Sequence, residues 1–101
     1  MLWKPDIVAE LTFLPTAEGG RKGPTPPDFF GCPFGFGGEY FDVRFDLSEI
    51  GSIAPGTSIR APAKFLCPEL IKNRLSVGSE FTLWEGRIIG RGRVLEINTD
   101  T

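Results

Sequence analysis

The chain of 101 residues contains no histidine, one methionine, one tyrosine and two cysteines. Without an imidazole, general acid–base chemistry near neutral pH and a histidine-ligated metal both lose their usual carrier. Cys32 and Cys67 stand far apart and each precedes a proline, unlike the close pairs of zinc ribbons and redox dithiols. A metal site would have to be built from carboxylates and these two thiols, so neither a metal nor another cofactor is expected. No stretch approaches the roughly 20 apolar residues of a helical membrane span. The opening MLWKPDIVAEL lacks the apolar run and small-residue cleavage site of a signal peptide. Together these absences point to a reduced, cytoplasmic protein. The formal net charge of −2 supplies no global field that would draw the protein onto nucleic acid or an anionic membrane. Any anion contact must come from a local patch.

What is present describes one folded domain spanning residues 1–101. The apolar fraction of 41% and charged fraction of 24% are those of a globular chain rather than a disordered tail. The length suffices for a single core. Residues 6–13 place Ile7, Ala9, Leu11 and Phe13 on one side and Glu10 and Thr12 on the other, the period of a half-buried strand. Residues 39–47 alternate more cleanly, with Phe41, Val43, Phe45 and Leu47 inward against Tyr40, Asp42, Arg44 and Asp46. After the Pro55-Gly56 turn, TSIRA predicts a strand, and AKFLC behind Pro62 a further short one. PELIKNRLS, residues 68–76, reads as a loop, the alternative being one helical turn started by Pro68.

Residues 80–97, EFTLWEGRIIGRGRVLEI, read as a hairpin: Phe81 and Leu83 face in, Glu80, Thr82 and Trp84 face out, and Glu85-Gly86-Arg87 makes the turn. On the return leg Ile89, Leu95 and Ile97 share a parity with Arg87, Arg91 and Arg93, whereas Ile88 and Val94 take the other. Such a switch predicts a β-bulge, placed here at Gly90 and Gly92, so the arginines need not share one face. One segment resists the strand scheme. RKGPTPPDFFGCPFGFGG, residues 21–38, is mostly glycine, proline and phenylalanine and reads as a long loop. Its rings, Phe29, Phe30, Phe34 and Phe36, are expected to fold back and plug one end of a barrel; the alternative is an aromatic recognition loop. Many short strands with Gly and Pro turns indicate an all-β fold, a six- or seven-stranded antiparallel Greek-key-like barrel.

The order of signals resembles one family. A strand AELTFL runs into AEGGRKGP, then come YFDVRF, APGTSI and the closing FTLWEGRIIGRGRV. This series, covering about Ala9 to Ile97, is similar to the third, C-terminal barrel domain of elongation factor Tu. There a strand leads into a Gly-Gly-Arg loop and a closing hairpin has the form Phe-x-Ile-Arg-Glu-Gly-Gly-Arg-Thr-Val-Gly-x-Gly. The departures are a turn one glycine shorter, Trp84 in place of an arginine, and Lys22 where histidine is usual. No Gly-x-x-x-x-Gly-Lys-Ser/Thr loop occurs, so no nucleotide is expected to bind as in that family.

The resemblance implies a non-enzymatic module that contacts the backbone of a tRNA-like RNA or a protein ligand of the translation machinery. Carried over by position, Gly20 and Arg21 match the Gly-Gly-Arg loop, and Glu85, Gly86 and Arg87 match the closing turn. Arg21, Lys22 and Arg87 would then meet phosphate or 2′-hydroxyl groups, with Arg91 and Arg93 extending the patch. A bland alternative is that these arginines solvate outward strand positions against Glu80, Glu85 and Glu96. A third reading is a regulatory, immunity or factor-mimicking protein whose partner lands on Trp84, since exposed tryptophan is enriched at binding hot spots. Asp42 and Asp46 share a strand face, but no base, nucleophile or metal joins them, which argues against an enzyme. A homodimer is expected only if the phenylalanine-rich segment projects outward.

Overall fold

The computed structural model describes residues 4–99. Six strands, β1 (Ile7–Phe13), β2 (Phe29–Phe36), β3 (Glu39–Asp46), β4 (Ser58–Phe65), β5 (Glu80–Trp84) and β6 (Ile88–Ile97), close a barrel in the order β1-β4-β3-β2-β5-β6. Every neighbouring pair is antiparallel. β2, β3 and β4 follow one another as a meander and β1 lies beside β4, which is Greek-key connectivity. The barrel is filled from the inside by alternate residues: Ile7, Ala9, Leu11 and Phe13 from β1, Val43 and Phe45 from β3, Phe81 and Leu83 from β5. Phe41 is the inward residue of β3 that stays only partly buried, packed against the core with the Arg74 guanidinium 5.5 Å from the centre of its ring. Asp46 departs from its expected outward place. It is buried at the end of β3, where its carboxylate accepts hydrogen bonds from the Ser48 amide (2.9 Å) and hydroxyl (2.6 Å).

The largest correction concerns residues 21–38. The second half of this segment is a strand rather than a loop, and β2 pairs with β3 along its whole length, from Phe29↔Asp46 to Phe36↔Glu39. The rings do not form a plug. Phe30, Cys32 and Phe34 point inward at strand period, and Phe34 stacks on Phe81 (centroids 4.0 Å) while meeting the edge of Phe65 (5.0 Å). The glycines and proline occupy the outward positions, which is why strand propensity did not reveal the segment. At Gly35 an added Cβ would lie 3.2 Å from the Tyr40 ring, so the bare backbone lets that ring lie across β2. With these side chains in the core, the outward projection on which a homodimer was conditioned does not occur; Phe29 alone of the four is substantially exposed.

Two further differences have local causes. TSIRA and AKFLC are one strand, β4, that runs through Pro62. Pro62 stands opposite Val8 on β1 and just beyond residues 63–65, the only part of β4 paired with β3. The Phe13 amide donates to the Thr57 carbonyl (2.9 Å), and alternation from that bond turns the Pro62 nitrogen away from β1, so no ladder bond is lost. The segment 68–76 forms two short 3-10 turns, Pro68–Leu70 and Lys72–Arg74, rather than an open loop. Ile71 and Leu75 anchor it in the core. Buried Asp6 ties it down as well, accepting from the Phe65 amide (2.9 Å) and the Lys72 ammonium (3.4 Å).

The parity switch in β6 is real, but it comes from two bulges, and neither is at a glycine. Leu83 pairs with Gly90 and Trp84 with Ile88, leaving Ile89 extra; Val8 pairs with Glu96 and Ala9 with Val94, leaving Leu95 extra. Between them the strand is regular. Gly90, Gly92 and Val94 face in, and Arg91 and Arg93 share the outward face. The glycines are required by packing: a Cβ on Gly92 would run into the Phe81 ring and lie 2.7 Å from the Glu10 carbonyl oxygen, and one on Gly90 would lie 2.8 Å from the Thr12 carbonyl oxygen.

Candidate functional site

The residues singled out from the sequence fall into three groups in space. The first joins the 19–24 loop to the closing turn. Gly19 adopts a left-handed φ of 94° and Gly20 is buried against the chain, where a Cβ would run into the Leu14 carbonyl and lie 2.8 Å from that of Pro15. Gly20 is thus a packing requirement. Arg21 then reaches across to donate to Glu85 Oε1 (2.6 Å), donates to the carbonyls of Gly23 and Pro24 (both 3.3 Å), and lies 5.1 Å from the centre of the Phe30 ring. Arg87 returns the gesture, its Nε donating to the Gly19 carbonyl (2.6 Å) and its Nη2 to that of Gly20 (3.1 Å). Gly86 supplies the turn's left-handed residue, φ 74°, and the Glu85 amide bonds the Arg87 carbonyl at 2.8 Å. Both guanidinium groups are therefore committed to a clamp between segments far apart in sequence. Lys22, next to it, is exposed and makes no hydrogen bond or ion pair among the described residues.

The second group is the outer face of β6. One cross-strand row reads Arg60, Glu10, Arg93, Glu80 over β4, β1, β6 and β5, alternating in sign, and Arg93 bonds Glu10 at 3.4 Å. The next row reads Ser58, Thr12, Arg91, Thr82, with Thr12 and Ser58 hydroxyls 2.9 Å apart. Arg93 is neutralised locally, whereas Arg91 stands among hydroxyls. The five cations expected to act as one patch thus divide: three have internal partners, and Lys22 and Arg91 face water.

The third group surrounds Trp84. Its indole is 37% exposed on the outward side of β5 and contacts the Tyr40 ring, itself 58% exposed, at 5.7 Å between centroids. Ile88, opposite Trp84 across the hairpin, is 50% exposed. Tyr40 and Ile88 carry no functional signal in the sequence. Tyr40 reads as one more outward strand residue, and the side-chain-free Gly35 between β3 and β5 explains how its ring reaches Trp84.

No family model matches the chain, and no curated protein matches it. The likeness to the third domain of elongation factor Tu accordingly rests on the quoted residues alone. Among the described residues no group of three Cys, Asp or Glu side chains is placed to hold a metal ion, and no helix is long and apolar enough to cross a membrane. Among the described residues two groups titrate away from their ordinary ranges. Burial pushes the Cys32 thiol up to about 12, with the Glu85 charge adding to the effect and the Trp84 amide and Arg21 opposing it. The two hydrogen bonds from Ser48 hold the Asp46 carboxyl below its usual value. Neither change creates a nucleophile or a base near neutral pH: Cys32 stays a thiol and Asp46 a satisfied carboxylate.

Proposed function

We propose that the chain is a non-enzymatic protein-interaction module whose contact centre is the exposed Tyr40–Trp84 pair. The observation that carries this reading is two large aromatic rings in mutual contact on the solvent side of a closed sheet, flanked by Ile88. Rings held on strands lose little conformational freedom when a partner lands on them, and such anchors dominate binding energies. The sequence likeness to an elongation factor barrel suggests a partner from the translation machinery, or a protein that mimics or regulates it. A second reading, contact with the backbone of a tRNA-like RNA, is favoured by Lys22 and Arg91, which face solvent without a carboxylate partner. It is the weaker one, because Arg21 and Arg87 would have to leave the clamp to reach phosphate.

Immobilised wild-type protein, Trp84→Ala and the double variant Lys22→Ala/Arg91→Ala should be compared for captured protein and captured RNA. The first reading expects Trp84→Ala to weaken capture of a protein about tenfold or more and the double variant to leave it unchanged. Loss of an RNA signal in the double variant, with a salt slope reduced by about 0.7–0.9 per lost contact, supports the second reading instead. Capture indifferent to both changes refutes both.

A further inference from the structure

On the outer face of β6 opposite charges answer one another across strands, but one cross-strand row elsewhere sets two cations side by side. On β2, β3 and β4 the outward positions Gly31, Arg44 and Lys64 lie side by side. Arg44 and Lys64 are directly opposed like charges, an arrangement that costs stability unless an anion sits between them. Neither makes an ion pair among the described residues, and the Arg44 guanidinium lies 5.8 Å from the centre of the Phe29 ring. Asp42 borders the same place without pairing to either cation. The row Arg60, Glu10, Arg93, Glu80 on the other side alternates in sign, so the exception is local rather than a habit of the surface.

The shape of the surface fits the same conclusion. Arg44 and Lys64 border a trough of about 610 Å³ whose walls include Pro33 and Leu66, the latter 74% exposed. That volume is within the range of small-molecule sites. Its floor is open at Gly31, where an added Cβ would meet nothing closer than the Val43 carbonyl oxygen at 3.6 Å. Packing does not demand glycine there, in contrast to Gly92; a side chain would fill the trough and leave the core alone. We propose that this trough binds an organic monophosphate, the dianionic head bridging Arg44 and Lys64 and an apolar body lying over Gly31 against Pro33 and Leu66. A dianion matches two adjacent cations better than a single carboxylate does. The inference stands apart from the protein-binding reading, which concerns Tyr40 and Trp84.

The test is a titration of ¹⁵N-labelled protein with phenyl phosphate, followed by amide chemical shifts. Saturable shifts are expected at Gly31, Arg44, Lys64 and Leu66. Lys64→Gln should weaken binding about fivefold or more, Lys64→Arg should preserve it, and Gly31→Val should block it while keeping a dispersed spectrum. Inorganic phosphate and benzoate should each bind at least about fivefold more weakly than phenyl phosphate. The proposal is overturned if shifts are absent or centre on Lys22 and Arg91. Equal affinity of Lys64→Gln, or of inorganic phosphate, overturns it too.

Discussion

Replacing Gly92 by alanine adds one methyl group to the inside of the barrel, and the structure states what that methyl must displace. It would run into the Phe81 ring and sit 2.7 Å from the Glu10 carbonyl oxygen, where comfortable contact needs roughly 3.5 Å. Glu10 belongs to β1, which is held on both flanks by β4 and β6 and cannot retreat alone. Phe81 is stacked on Phe34 at 4.0 Å, and Phe34 is in turn backed by Phe65. Overpacking of this kind costs about 1–3 kcal/mol, and two unyielding neighbours place it at the upper end. Stiffening of the unfolded chain returns about 0.4–1 kcal/mol, leaving a net loss of about 2 kcal/mol. In urea this lowers the unfolding midpoint by about 1 M with an unchanged slope. Two companions make the assay specific. Phe81→Leu in the Gly92→Ala background should recover about 1 kcal/mol of coupling. Gly23→Ala, with nothing within 4 Å of its Cβ, should be neutral or slightly stabilising. A Gly92→Ala protein within about 0.5 kcal/mol of wild type would refute the packing argument.

Four other outcomes follow from particular groups. In the native protein Cys67, which is exposed, should react with an alkylating reagent while buried Cys32 should not, as mass spectrometry after brief labelling will show. Because the Cys32 thiol is raised from 9.0 to about 12 in the fold, its contribution to stability is complete below pH 9 and is lost as the pH climbs toward 12; Cys32→Ala should flatten that alkaline limb in chemical denaturation. The Asp46 carboxyl is lowered in the fold, so the stability it confers is present above its ordinary value of 3.8 and disappears as the pH falls through its folded value; Asp46→Ala should cost about 1.5–3 kcal/mol at neutral pH and almost nothing in strong acid. Arg87→Ala removes two hydrogen bonds to the 19–20 carbonyls from an exposed position, and calorimetry should find a loss of about 1 kcal/mol, with faster amide exchange at Gly19 and Gly20.

β1 and β3 are readable from alternation because both carry polar residues on the water side and apolar ones on the core side. β2 carries the same inward period, Phe30, Cys32 and Phe34, yet its outer positions are Gly31, Pro33 and Gly35, residues that ordinarily mark turns. At Gly35 the reason is tertiary: Tyr40 from β3 lies over it. The bulges of β6 announce themselves as a change of parity, but glycine was a false guide to their place, since Gly90 and Gly92 are small to admit Phe81 and the β1 backbone. At the candidate site the outward direction of Trp84 was legible. The clamp was not, because no local pattern tells that Arg21 meets Glu85 or that Arg87 finds the Gly19 carbonyl. Charges read one strand at a time look like a patch; read across strands, most are already paired.

The pairing of β1 with β6 bears on how the protein must be made. Ring closure joins Phe13 to Gly90 and Ile7 to Ile97, so the most distant parts of the described chain become neighbours. Such a contact is among the slowest to form, since a long loop must be closed before any of its bonds is gained. Until β6 emerges from the ribosome, β1 and β5 each lack a partner on one side, and Leu11, Phe13, Phe81 and Leu83 have no wall to face. The nascent chain is therefore most open to sticking to its own copies during the interval in which residues 88–97 are synthesised.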